Sequence, residues 1–381
     1  MQSTSVFTID EGKELRVQCE FASVRILSGE VESFGTPLQG GDFHYRAESF
    51  PLFSFEGAKV SIQGKFSVQQ NCESSAPLYR QLYKDLHSER ECPRILIAGP
   101  CDSGKSSLCR TLTSYSLSEG MPLIFADLDP GQSVSVPGSL AAIPLGGGPE
   151  EPPLIYCYGH SSPAHNPQHF MVSIQNLTKA IDRRLETDTF KKGGVVVNSC
   201  GWIEGLGYDL LKDAIKTMKI ETVLVLGEKL LLENLKTDFP EGDVQLKLVP
   251  RNAGASSRSK QSRHFARVNK IREYFWGEQG NFRPVVQALD CHLVSIVKIV
   301  SASNSNDVEL AVERVMPSRD LVGAVLGVSH SPTMEDVPNY NVAGFVFVEN
   351  IDERNNKLIF QCPCPGPLPG RFLIAGSVKL R

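Results

Sequence analysis

Along the first seventy residues apolar and polar positions alternate, as in Leu15-Arg16-Val17-Gln18-Cys19 and Val60-Ser61-Ile62-Gln63. Turn signals at Ser28-Gly29, Gln39-Gly40-Gly41 and Glu56-Gly57 separate these runs. Alternation places every second side chain on one face, so Phe7 to about Gln70 is expected to form a small antiparallel β domain of sandwich type. The spacing changes at Leu78, Leu82 and Leu86, which recur at helical intervals before Pro93 and predict a linker helix over 76–92.

Between Pro93 and about Gly277 the pattern changes again. Short apolar runs, Arg94 to Ala98, Leu123 to Ala126, Val195 to Val197 and Thr222 to Leu226, alternate with helix-compatible stretches such as the one bearing Leu108, Leu112 and Leu117. Strands buried on both faces read as continuous apolar runs, which predicts a mainly parallel sheet with helices on either side. The glycine- and proline-rich segment 146–153 reads as an inserted loop. After Phe282 short strands and turns return: 293–300, a polar break over 301–307, 342–348, a turn at 352–356, and 358–361. A β-rich domain is expected there, with the proline-rich stretch 363–370 crossing the surface. The domain boundaries so implied are 1–75, 76–92, 93–282 and 283–381.

A chain of 381 residues with 22% charged and 41% hydrophobic residues is of ordinary globular composition and long enough for two or three domains. Its formal charge of −4 offers no overall attraction to nucleic acid, so any such contact must come from a local basic patch. Ten cysteines lack the paired Cys-x-x-Cys spacing of a zinc site, and Cys362-Pro363-Cys364 has no companion pair. With no signal peptide or long apolar span, the chain reads as intracellular, with reduced thiols and no membrane segment.

The most constraining chemistry lies at Gly99-Pro100-Cys101-Asp102-Ser103-Gly104-Lys105-Ser106-Ser107, a Gly-x-x-x-x-Gly-Lys-Ser phosphate-binding loop between a predicted strand and a predicted helix. Such a loop turns its backbone N–H groups inward, adds the positive end of the following helix, and offers Lys105 to the outer phosphates and Ser106 to magnesium. Gly99, Asp102, Ser103, Gly104 and Ser107 complete the candidate ATP-binding set. Asp127-Leu128-Asp129-Pro130-Gly131-Gln132 follows the next strand, where α/β sheets place their ligands. One aspartate suits the magnesium shell and the other suits accepting a proton from an attacking hydroxyl, although Asp127 could instead cap a turn.

Arg258, Lys260, Arg263, Arg267 and Lys270 follow the small-residue segment 253–257, and Arg263 and Arg267 share a helical face. They suit either a mobile lid over a triphosphate or a solvated basic helix that contacts phosphate backbone. Trp202, at the end of the strand leading to Asn198-Ser199-Cys200-Gly201, suits either stacking on a nucleobase or core packing.

These residues together resemble the eukaryotic Clp-type polynucleotide 5′-hydroxyl kinases, subunits of the pre-mRNA cleavage and polyadenylation machinery. The resemblance is carried by the phosphate loop, residues 127–138 (DLDPGQSVSVPG), 158–163 (YGHSSP), 198–202, 258–260 and 271–277 (IREYFWG), and late in the chain by 342–345 and 367–369. It implies a central P-loop domain flanked by a small N-terminal β-sandwich and a β-rich C-terminal domain. Transfer of the ATP γ-phosphate to the 5′-hydroxyl of RNA, with DNA as an alternative acceptor, and with Mg2+, is the implied activity. By position, Lys105, Asp129, Arg258 and Arg263 would be catalytic, Ser106 and Asp127 would serve the metal, and Ser162 and Trp202 would grip the terminal nucleotide. Glu14 would contact the adenine, and the position matching its basic companion is Phe50. The implied setting is nuclear, with partners among the subunits of the cleavage and polyadenylation complex or the tRNA splicing machinery. Relatives that hold ATP without kinase activity make a scaffold the alternative. Cys101 and Ser103 replace the usual Thr and Val, and Asp127 replaces a Glu; these changes alter volume more than charge.

Overall fold

A computed structural model describes residues 3–46, 49–89, 92–148, 151–240, 242–278, 280–304 and 307–380. They group into two compact units, one of residues 1–123, 189–196 and 222–257, the other of 124–188, 197–221 and 258–381.

The first unit opens with seven strands, β1 (Ser3–Ile9), β2 (Lys13–Ser28), β3 (Glu32–Ser33), β4 (Thr36–Pro37), β5 (Asp42–Arg46), β6 (Ser49–Phe53) and β7 (Ala58–Glu73). They pair antiparallel in the order β1-β7-β2-β6-β3-β4, with β5 also on β2. The alternation legible in the sequence is the cause: Leu15, Val17, Val60 and Ile62 point inward and are at most 1% exposed, while Gln63 and Lys59 point out. These side chains form one core with Ile9, Val24, Phe50 and Leu52.

Helix α1 (Ala76–Glu89) follows. Its buried stripe is Tyr79, Leu82, Tyr83 and Leu86, and Leu78 lies on the exposed side. Three leucines four apart drift around a 3.6-residue helix, and the two tyrosines complete the inward face instead.

The same unit then carries β8 (Arg94–Ala98) and α2 (Lys105–Ser118), in which Leu108 and Leu112 are buried but Tyr115 replaces Leu117 on the inner face. Strand β9 (Leu123–Asp127), and later β12 (Val195–Asn198), straddle the two units. Between them the second unit holds β10 (Ser139–Leu145), β11 (Leu154–Cys157) and α3 (Pro167–Leu185), and after β12 comes α4 (Leu206–Thr217). The chain returns to the first unit for β13 (Thr222–Leu226), α5 (Lys229–Asp238) and β14 (Gln245–Val249).

Within the first unit the strand order is β12-β8-β13-β14, with β8, β13 and β14 parallel. Within the second it is β11-β10-β9-β12, with β10 and β11 antiparallel. The expected inserted loop is therefore the tip of a hairpin; its Pro149 and Glu150 lie outside the described residues.

Helix α6 (Lys260–Trp276) precedes β15 (Val285–Asp290), β16 (Ser295–Asn304), β17 (Asp307–Arg314), β18 (Val325–Ser329), β19 (Val342–Asp352), β20 (Lys357–Cys362) and β21 (Phe372–Ile374). These strands form a third sheet in the order β15-β20-β19-β18-β21-β16-β17. The segment read as a polar break is instead a hairpin, because Ser301 to Asn304 pair with Leu310 to Asp307; residues 305 and 306 lie outside the described set. Helix α6 packs on this sheet through Ile271 and Phe275, and the Tyr274 hydroxyl accepts the Phe345 N–H at 3.0 Å. Residues 363–371 form no strand. Among the described residues no helix is long and apolar enough to cross a membrane, and no cluster of three His, Cys, Asp or Glu could hold a metal ion.

Candidate functional site

In the first unit β8 ends at Ala98 and the chain turns through 99–104 into α2. Gly104 caps the helix at φ 100°, and no side chain caps its first-turn N–H groups, which leaves them for an anion. A Cβ on Gly104 would lie 2.5 Å from the Cβ of Asn252, so loop and neighbour leave room for hydrogen only. Lys105, 7% exposed, donates from Nζ to the carbonyls of Gly99 and Pro100, both at 2.8 Å, and so lies across its own loop. Ser106 is exposed at the start of α2, Ser107 is half-buried, and Ser103 is buried with its hydroxyl unpaired.

The loop after β14 braces this turn. The Arg251 guanidinium donates to the Asp102 carbonyl at 3.1 Å, and the Asn252 N–H to the Ser103 carbonyl at 3.3 Å. Asn252 also donates from Nδ2 to the Tyr79 hydroxyl of α1 and accepts the Gly254 N–H. On β2, Glu14 is 7% exposed and takes Arg16 Nε at 2.6 Å on one oxygen and the Ser74 hydroxyl at 2.7 Å on the other. A Cβ on Gly254 would meet Arg16 Nε at 3.3 Å, so Arg16 reaches the same loop that braces the phosphate turn.

The basic side chain bonded to Glu14 is Arg16. Phe50, the position expected from resemblance, is 1% exposed and stacks on Tyr45 in the β core. Arg16 was findable: two residues from Glu14 on a strand, it shares its face. Asn252 had no such signal, because the small-residue segment 253–257 drew attention to the basic run behind it.

In the second unit Asp127 ends β9 fully buried. Its Oδ1 accepts the Asp129 N–H at 3.2 Å and Asn198 Nδ2 at 2.9 Å, and its Oδ2 accepts the Val134 N–H at 2.8 Å. Burial, then the charge of Asp129, push its carboxyl up to about 7 against these hydrogen bonds. Asp127 therefore shapes the loop that presents Asp129. Asp129 is 9% exposed and accepts the Gly131 N–H at 2.9 Å. Arg258 donates to Oε1 of Gln132 in the same loop, which brings one of the two arginines expected to act as a lid to the predicted acceptor segment. Arg263 lies in the first turns of α6, where most side chains are exposed.

Trp202 is half-buried, with its ring against Gly207 of α4, and it lines an open cleft with Leu128, Pro163, Phe170 and Cys200. That wall is apolar, as a base-stacking surface requires. Ser162, which precedes the cleft residue Pro163, accepts the Ala164 N–H at its hydroxyl, while its carbonyl accepts the Tyr158 hydroxyl at 3.1 Å. Each unit thus gathers part of the predicted set: Glu14 with the phosphate loop in one, Asp127, Asp129 and Arg258 in the other.

Three family models cover nearly the whole chain. The N-terminal beta-sandwich domain of polyadenylation factor matches residues 8–92, the P-loop of mRNA cleavage and polyadenylation factor CLP1 matches 99–277, and pre-mRNA cleavage complex II protein Clp1 matches 282–380. The chain is 30% identical to a protein CLP1 homolog of Dictyostelium discoideum, over all of this chain and 90% of that one. It is also 30% identical to the human polyribonucleotide 5′-hydroxyl-kinase Clp1, over 99% of this chain and 96% of that one. A solved Clp1p–Pcf11p complex contains a chain of the same fold, with a TM-score of 0.87 and 22% identity over 99% of this chain and 98% of that one. The P-loop, the two flanking β domains and these full-length matches have one reading: the chain belongs to the Clp1 family of mRNA cleavage and polyadenylation factors.

Proposed function

We propose that the protein is an ATP-dependent polynucleotide 5′-hydroxyl kinase that acts on RNA within a nuclear pre-mRNA cleavage complex. The observation that carries this reading is the loop of Asp129, which presents a nearly buried carboxylate and holds Arg258 through Gln132. A scaffold that only keeps ATP has no use for a proton acceptor beside a cationic side chain. The name of the human relative, a polyribonucleotide 5′-hydroxyl-kinase, supports the same reading, and the Clp1p–Pcf11p complex supports a Pcf11-type protein partner.

In this reading the phosphate loop, Lys105 and the first N–H groups of α2 bind the triphosphate of ATP, while Glu14 and Arg16 serve its adenosine end. The 5′-oxygen of the acceptor bonds to the γ-phosphorus as the bond from that phosphorus to the β,γ-bridging oxygen breaks. Asp129 takes the hydroxyl proton, and ADP leaves with the electron pair. Arg258 and Arg263 neutralise charge on the transferred oxygens. Mg2+ would be held by the Ser106 hydroxyl, and Asp127, whose oxygens already accept from three protein donors, would serve the ion without ligating it directly. That ion would offset phosphate charge. Trp202 and Ser162 hold the terminal nucleotide.

Asp129→Asn keeps the size of the side chain and removes its proton affinity. We expect it to bind ATP as the wild type does and to lower the rate of transfer by about 100-fold or more. Equal transfer rates in the two proteins would refute the role of Asp129.

A further inference from the structure

The turn that carries Ser162 also carries two histidines with no role so far. The imidazoles of His160 and His165 stack with ring centres 5.0 Å apart and planes within 2°. His160 Nδ1 lies 2.9 Å from the Ser377 hydroxyl, and His165 Nδ1–H donates to the Ser162 carbonyl at 3.2 Å. With each Nδ1 engaged by protein, Nε2 is the ring atom that each histidine offers to a ligand.

Lys298 of β16 brings a positive charge to bear on His160. Burial, then His165, then the exposed Lys298 of β16, hold His160 below its ordinary range. The other ionisable rings here are Tyr158, with its ring centre 5.6 Å from that of His160 and its phenol pushed up by burial, and His169, which burial, then His160, push down to about 3. Glu313 of β17 stands opposite Lys298 in the strand pairing. An anion at the ring edges would offset the burial and the neighbouring charge that disfavour the imidazolium of His160. Ser377 and the carbonyl of Ser162 fix the rings, so such a site is preorganised.

We propose that His160, His165 and Lys298 form a phosphodiester-binding subsite for the RNA acceptor, next to the terminal nucleotide held at Ser162. The inference rests on the kinase reading for the identity of the strand. Bound phosphodiester favours the imidazolium form of His160, so affinity falls as pH rises through its bound-state value.

The test is equilibrium binding, by fluorescence anisotropy, of a short 5′-hydroxyl oligoribonucleotide and of the same strand with a neutral methylphosphonate as its first linkage. At about pH 6 the wild type should prefer the charged linkage by about tenfold, and by less at about pH 8. The double variant His160→Gln/His165→Gln should lose both the preference and its pH dependence, and Lys298→Gln should lose part of the preference while keeping the wild-type melting temperature. A tenfold preference that survives in the double variant overturns the subsite, as does equal wild-type binding of the two strands. Competition by inorganic phosphate as strong as by the oligonucleotide points to a free-anion site and also overturns it. A protein that binds with the expected preference but transfers no phosphate contradicts the kinase reading alone.

Discussion

Arg16→Ala tests whether the adenosine end of the nucleotide site is assembled as described. The guanidinium makes a 2.6 Å bond to Glu14 and a 2.7 Å bond to the Glu73 carbonyl, and its removal leaves Glu14 with the Ser74 hydroxyl as its remaining side-chain partner. Removing one partner of a fully buried ion pair costs about 3–5 kcal/mol. Here the side chains of Glu14 and Arg16 are 9% and 24% exposed, so water reaches the stranded carboxylate and the cost falls to about 2 kcal/mol. That corresponds to a melting temperature lower by about 4–8 °C for a unit of this size. Glu14→Gln in the Arg16→Ala background removes the stranded charge and should restore about half of the loss. The assay is thermal denaturation of the four proteins of this double-mutant cycle, with and without ATP. Additivity within about 0.5 kcal/mol would show that the two side chains do not act together and would refute the reasoning. So would an ATP-induced shift in melting temperature that is as large in Arg16→Ala as in the wild type, because Arg16 would then play no part in holding the nucleotide.

Two further outcomes follow from the second unit. His169 is 2% exposed and held neutral down to about 3, so the native state binds fewer protons than the unfolded chain below about pH 6.5. Stability should therefore fall with acidification from that point, by about 2 kcal/mol at pH 5 from this group alone, and His169→Phe should flatten the profile. Denaturant titrations at several pH values would show it, and parallel profiles for the two proteins would contradict it. Gly376→Ala would set a Cβ 1.9 Å from the Gly159 carbonyl oxygen, which forces apart the backbone pairing of Ser377 with Gly159. A loss of about 2 kcal/mol is expected, with weaker RNA binding as Ser377 leaves His160; an unaltered melting curve would contradict this packing.

Elements with one dominant pattern were legible in the sequence. Strands β8 and β13 match their apolar runs residue for residue, because a strand buried on both faces needs no alternation to mark it. Strand β14 (Gln245–Val249) escaped notice because its inner residues are only half-buried, so Gln245 and Lys247 interrupt the apolar run. The Ser301 to Asp307 hairpin escaped because its polar residues gave the composition of a loop, while cross-strand pairing decided its conformation. At the site, the phosphate loop and the two aspartates lie in contiguous motifs and could be read directly. Arg251 and Asn252 could not, because they act through a fold that brings β14 beside β8 by way of β13. That Asp127 accepts from three protein donors was not legible in the motif, since two of them, Val134 and Asn198, reach it only through the fold.

The most direct measurement is the fate of the γ-phosphate. Purified protein, γ-labelled ATP and Mg2+ are incubated with an RNA oligonucleotide that bears a 5′-hydroxyl, and with the same strand already 5′-phosphorylated. Label should appear on the 5′ end of the first strand only, and Lys105→Ala should abolish it. ATP retained by the protein with no label on the 5′-hydroxyl strand would contradict the account and leave an ATP-holding scaffold in its place.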